Sequence, residues 1–186
     1  EFIINSSKVA AYNKSMFADP TKNIKALGLR ETDVVADLGA GTGFYSISAG
    51  HIVGRGKVYA IEVVKDFLET ITKKVREQKL SNVQVIWGNI EKIGGTKLQD
   101  NSVDAVIASN IFFQLEHKEK CIDEIKRILK KGGKVLVIDW SEFSAMSGKG
   151  AIPKNKLKEM FEGKDFLLDR EIDAGVQHYG MILHKL

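Results

Sequence analysis

Residues Val34 to Ser46 read VVADLGAGTGFYS, and this run constrains the chain more than any other. A short apolar run, Val34-Val35-Ala36, has the character of a buried strand and ends in Asp37-Leu38. It breaks into Gly39-Ala40-Gly41-Thr42-Gly43, and an amphipathic stretch resumes at Phe44-Tyr45. A strand, a glycine turn and a helix start form a nucleotide-type cradle. Glycine lets the backbone take positive φ and approach a ligand closely, and the helix start adds free N–H donors. A tight glycine turn without a ligand is the bland alternative.

The dinucleotide fingerprint is G-x-G-x-x-G after a strand. Here Phe44 holds the place of its last glycine. A carboxylate such as Asp37 beside a pyrophosphate is unfavourable, because like charges repel. Beside a cationic ligand the same carboxylate helps. S-adenosylmethionine (SAM) carries a sulfonium and an ammonium group and no phosphate. The stretch resembles the first motif of class I SAM-dependent methyltransferases, and the resemblance extends over roughly residues 24 to 186.

A length of 186 residues fits one domain, with residues 1–28 as an N-terminal helical cap. A 44% hydrophobic and 28% charged composition is that of an ordinary globular chain. No apolar run approaches the roughly 20 residues of a membrane span, and no signal peptide is visible. The single Cys121 excludes an internal disulfide, suits a reducing cytoplasm and argues against thiol-relay chemistry. The net charge of +4 permits an acidic or RNA partner without requiring one. The lysines are scattered except at Lys73-Lys74, at Lys130-Lys131 and between Lys149 and Lys158, where a solvated face accounts for them.

Val9, Tyr12, Met16 and Phe17 follow helical spacing. Asp19-Pro20 caps a further helix that Gly28 ends. Strands are expected at Val34–Leu38, Val58–Ile61, Val83–Trp87, Val103–Ala108 and Val135–Ile138. Val64, Phe67, Leu68, Ile71 and Val75 mark one helix face, and Ile122, Ile125, Ile128 and Leu129 another, closed by Lys130-Lys131-Gly132-Gly133. After Pro153 a short helix precedes two strands, Phe166–Ile172 and Gln177–His184, joined by a turn short enough for antiparallel pairing. Alternating β and α implies a mostly parallel sheet with helices on both faces. The resemblance implies a Rossmann-like α/β fold with seven strands in the order 3-2-1-4-5-7-6, the last antiparallel.

Ligands of open α/β sheets bind at the carboxyl ends of the strands. Glu62 ends the second strand, 19 residues beyond Gly43, and an acidic group there can accept from both ribose hydroxyls; Val63 follows it. Past the third strand stand Asn89 and Ile90. The family usually has aspartate where Asn89 stands, against the adenine amino group; Asn89 can accept through its carbonyl, and Ile90 can pack on the adenine face. Ser109-Asn110 end the fourth strand, where the resemblance places the methionine part of the donor. The resemblance thus implies SAM as cofactor, held by Asp37, Gly39, Ala40, Gly41, Gly43, Tyr45, Glu62, Val63, Asn89, Ile90, Ser109 and Asn110.

In the resembling family, enzymes that methylate base amines usually carry an Asn/Asp-Pro-Pro-aromatic run after the fourth strand; Ser109-Asn110-Ile111-Phe112-Phe113 has no proline, so the resemblance disfavours that activity. Asp139-Trp140 matches metal-dependent relatives poorly, and the four histidines show no ligand spacing, so no metal is expected. Acceptor-side candidates are Tyr12, Met16, Phe17, Phe112, Phe113, His117, Trp140 and His178-Tyr179. No catalytic base stands out among them. A small or medium metabolite is the leading acceptor, as for quinone-biosynthesis methyltransferases. RNA or protein as acceptor, a SAM-binding module without catalysis and, remotely, a dehydrogenase remain as alternatives.

Overall fold

The computed structural model describes residues 19–142, 144 and 150–186. The expected helix around Val9 to Phe17 lies outside them. Helix α1 (Pro20–Leu27) starts where Asp19 Oδ1 accepts from the backbone N–H groups of Thr21 and Lys22, at 3.0 and 3.3 Å. Gly28, left-handed at φ 71°, ends it. Strand β1 (Val34–Leu38), helix α2 (Phe44–Ile52) and strand β2 (Lys57–Glu62) follow. Helix α3 (Lys65–Glu77), β3 (Val83–Trp87) and β4 (Val103–Ser109) complete the first half. The second half runs α4 (Lys118–Ile128), β5 (Leu129–Trp140), α5 (Lys154–Glu162), β6 (Phe166–Ile172) and β7 (His178–Lys185).

The strands form a seven-stranded sheet in the order β3-β2-β1-β4-β5-β7-β6. Every neighbouring pair from β3 to β5 is parallel, and β7 runs antiparallel to both β5 and β6. Successive side chains of a strand point to opposite faces, and both faces here are covered. Val135 and Val137 of β5 join Ile122, Ile125 and Phe161 of α4 and α5 in one core, whereas Leu136 and Ile138 join Ile24, Tyr45 and Ala49 of α1 and α2 in the other. Central strands buried on both faces read as apolar runs, as Ala105–Ala108 of β4 and Val135–Ile138 of β5 do.

One expectation is corrected. The Lys130-to-Gly133 segment does not close helix α4. The helix stops at Ile128, and Leu129 is already extended at φ −69°, ψ 136° and paired with Val103. Burial of Leu129 pulls the chain straight into the sheet, and left-handed Gly132 takes up the register shift before Lys134 pairs with Ala105. The apolar face of α3 is only half covered. Ile71 is fully buried, but Val64 and Phe67 are 44% and 38% exposed, because they stand above the carboxyl ends of the strands where no sheet lies beneath them.

Candidate active site at the strand ends

The glycine loop is held by its neighbours before any ligand is considered. Gly39, Gly41 and Gly43 all take positive φ (63°, 54° and 84°). At Gly39 a Cβ would also lie 2.7 Å from Ile111 Cγ2, so both conformation and space require glycine there. Ala40 N–H donates to the Ile61 carbonyl at 3.0 Å, tying the loop to β2. Gly41 N–H donates to Glu62 Oε2 at 2.9 Å. The other oxygen, Oε1, accepts from the N–H groups of Val63 and Val64 at 2.7 and 3.0 Å. Glu62 therefore both shapes the loop and keeps a lone-pair direction on Oε2 for a hydroxyl donor.

Asp37 lies beneath the loop and is 2% exposed. Ser46 Oγ donates to its Oδ2 at 2.5 Å. Burial outweighs the Ser46 hydrogen bonds, and nearby Glu62 adds to it, so the Asp37 carboxyl is pushed up to about 7. A buried acid of this kind ionises readily only when a positive charge arrives beside it.

Around these groups lies a cavity of about 710 Å³, within the range of about 300–1,000 Å³ common for small-molecule sites. Asp37, Gly39, Ala40, Gly41, Tyr45, Glu62, Val63, Asn89, Ile90, Ser109 and Asn110 all line it. Gly43 does not: it caps α2, and a Cβ there would meet Ile71 at 3.0 Å. Asn89 Oδ1 accepts from Glu91 N–H at 2.9 Å, which shapes the turn after β3 and leaves one lone pair. Asn110 is left-handed at φ 55°, pinned by its N–H to the Ile138 carbonyl (2.8 Å) and by Gln114 Nε2 to its own carbonyl (3.1 Å). Its buried Oδ1 has no hydrogen-bond partner among the described residues.

The profile of the family described as a methyltransferase domain matches residues 29–171 of this chain. The chain belongs to that family. Its fold is that of the class I SAM-dependent methyltransferases, and it is related to the quinone-biosynthesis methyltransferases. The ubiquinone/menaquinone biosynthesis C-methyltransferase of Escherichia fergusonii is 35% identical over 124 residues, which is 64% of this chain and 47% of the relative. A probable cobalt-precorrin-6B C(15)-methyltransferase (decarboxylating) of Sulfurisphaera tokodaii is 35% identical over 102 residues, 54% of this chain and 50% of the relative. The chain thus spans about half the length of these curated relatives. Among solved structures, a SAM-dependent methyltransferase from Aquifex aeolicus superposes with a TM-score of 0.83 at 27% identity, over 98% of this chain and 100% of that one.

In this methyltransferase-domain chain the acceptor-side candidates part company. Tyr12, Met16 and Phe17 lie outside the described residues. Phe112 is core, edge-on to Phe161 with ring centroids 5.6 Å apart. Phe113 and His117 line a separate groove, and His117 precedes the first turn of α4. Tyr179 donates its hydroxyl to the Ile152 carbonyl at 3.1 Å. Among the described candidates only His178 reaches the cavity wall, with the Trp140 ring stacked on it.

Several wall residues carried no expectation of ligand contact: Thr42, Phe44, Phe67, Trp87 and Gln114. Trp87 is 56% exposed and anchored by Nε1–H to the Val63 carbonyl at 3.1 Å. Phe44 lies 4.6 Å from the Lys74 ammonium. For Phe44, Phe67 and Trp87 the signal in sequence is a large apolar residue at a strand end or helix start, where little covers it. Asp139 was also missed. It is fully buried and accepts from the N–H groups of Phe112 (2.8 Å), Phe113 (3.3 Å) and Trp140 (2.8 Å), and burial outweighs these bonds to push it up to about 6. It holds the loop that carries Asn110. No group of three or more His, Cys, Asp or Glu among the described residues could hold a metal ion.

Proposed function

We propose that this chain binds SAM in the cavity at the strand ends and transfers its methyl group to a small molecule. The observation that carries the reading is the pair of buried carboxylates, Asp37 and Glu62, flanking a left-handed glycine loop in a cavity that no lysine or arginine lines among the described residues. A phosphate-bearing cofactor has no counter-charge in such a wall, whereas a positively charged one does. Glu62 and the loop would hold the ribose, Asn89 and Ile90 the adenine, and Asp37, Ser109 and Asn110 the methionine part.

When bound, SAM supplies an activated methyl group on a good leaving group. The residues of the chain orient it: the rigid loop and Glu62 fix one end, and the pinned Asn110 fixes the other. Such positioning can supply up to about 7–11 kcal/mol of the barrier. A small acceptor agrees with a cavity of about 710 Å³ and with the two relatives described above, both of which are named for methylation at carbon. Calorimetry and thermal shift with SAM, its demethylated product S-adenosylhomocysteine and NADH test this. The first two should bind, and at about 100 times the dissociation constant should stabilise the fold by about 2.7 kcal/mol. NADH binding in their place would overturn the proposal.

A further inference from the structure

One buried group in the cavity wall is left without a task by the donor site. His178 is 7% exposed and lines the cavity, yet neither ring nitrogen has a hydrogen-bond partner among the described residues. An unpaired polar group held away from water costs free energy and calls for an explanation. Its placement supplies one. β7 runs antiparallel to β5 with His178 opposite Trp140, so the start of β7 lies at the carboxyl edge of the parallel strands. The Trp140 ring stacks on the imidazole, with centroids 4.0 Å apart at 31°, and fixes its plane. Ile138, two residues before Trp140, accepts from Asn110 N–H, which brings the unpartnered Asn110 Oδ1 to the same side of the cavity. Glu62 and Trp87 end β2 and β3, and Asn89 lies in the turn after β3, on the opposite side of β1 in the sheet. The adenosine end and the His178 corner therefore lie at opposite ends of one cavity.

Resting on the reading of this cavity as a SAM site, we propose that His178 hydrogen-bonds the methyl acceptor, and that the acceptor is an uncharged molecule presenting a hydroxyl group to this corner. Burial pushes the imidazole down to about 4, so near neutrality it offers one lone pair and one N–H. Asn110 Oδ1 only accepts. Together they suit a hydroxyl, which both donates and accepts. An anionic acceptor would enter a cavity whose charged lining groups are all acidic, with no lysine or arginine among the described residues to offset its charge. A cationic one would sit beside the sulfonium, where like charge repels it.

The test uses the full chain with 4-ethylphenol as an uncharged hydroxyl probe and 4-hydroxyphenylacetate as its anionic counterpart. Binding is followed by NMR of the His178 ring nitrogens, after S-adenosylhomocysteine affinity has been measured in the same sample. The phenol should shift both ring nitrogens and bind about tenfold or more tightly than the carboxylate. His178→Phe keeps a ring against Trp140 and should weaken the phenol about tenfold, while His178→Gln, with a donor and an acceptor, should recover most of that loss and leave S-adenosylhomocysteine binding unchanged. Equal binding of the two probes, or a phenol affinity untouched in His178→Phe, overturns this inference alone. Failure of the wild-type chain to bind S-adenosylhomocysteine overturns the donor reading and this inference with it.

Discussion

At the scale of single residues the two acids of the cavity divide the work. Asp37 is raised to about 7 because burial disfavours its charge. A cation that binds beside it must first find it ionised. Affinity for SAM should therefore rise between about pH 6 and about pH 8, and Asp37→Asn should both flatten that rise and weaken binding by about 10- to 100-fold. Isothermal titration at several pH values measures both. Glu62 acts through geometry, since its carboxylate already collects three backbone N–H groups. Glu62→Ala removes that clamp together with the hydroxyl acceptor, and about 3 kcal/mol lost corresponds to roughly 100-fold weaker binding of S-adenosylhomocysteine. An affinity equal to wild type would remove Glu62 from the ligand site. Both acids were legible in sequence, because each closes an apolar run just before the chain turns. His178 was one of several candidates with nothing in its local pattern to single it out.

At the scale of elements, the turn after β3 is held by a helix distant in sequence. Glu124 of α4 is fully buried and accepts from Gly94 N–H (2.8 Å), Thr96 N–H (3.1 Å) and Thr96 Oγ (2.5 Å), while Arg127 pairs with it at 2.8 Å. Burial works to raise its carboxyl, but Arg127, Thr96 and the backbone donors hold it down at about 2. A depressed acid stabilises the fold above its unfolded value near 4.5, and that stabilisation is lost as the pH falls toward 2. Glu124→Ala should cost about 1–3 kcal/mol at neutral pH, since it leaves the Gly94 and Thr96 N–H groups without their acceptor, while Arg127 keeps its pair with Asp100. It should also flatten the acid limb of stability, as urea unfolding at a series of pH values would record. Periodicity located α3 and α4 but not their coverage. The end of α4 and the bare upper face of α3 depended on where the sheet begins and ends, which neither helix encodes.

At the scale of the whole molecule, Asp37 and Asp139 both remain protonated in the fold at pH values where an unfolded chain has released those protons. The free protein should then lose stability as the pH climbs from about 4 to about 7. A ligand that neutralises Asp37 opposes this, so the gap in melting temperature with and without S-adenosylhomocysteine should widen over the same range; a constant gap would separate ligand from Asp37. The strand–glycine–helix crossover, the apolar central strands and the acids at their ends are legible in the chain alone, because they depend on residues a few positions apart. Resemblance to a family supplied the strand order. What meets at the far end of the cavity follows from the folded arrangement of the sheet. Asn110 just past β4, Trp140 at the end of β5 and His178 at the start of β7 converge because β7 inserts beside β5 in reverse. That pairing is a long-range choice of the sheet, made by burying both of its faces at once.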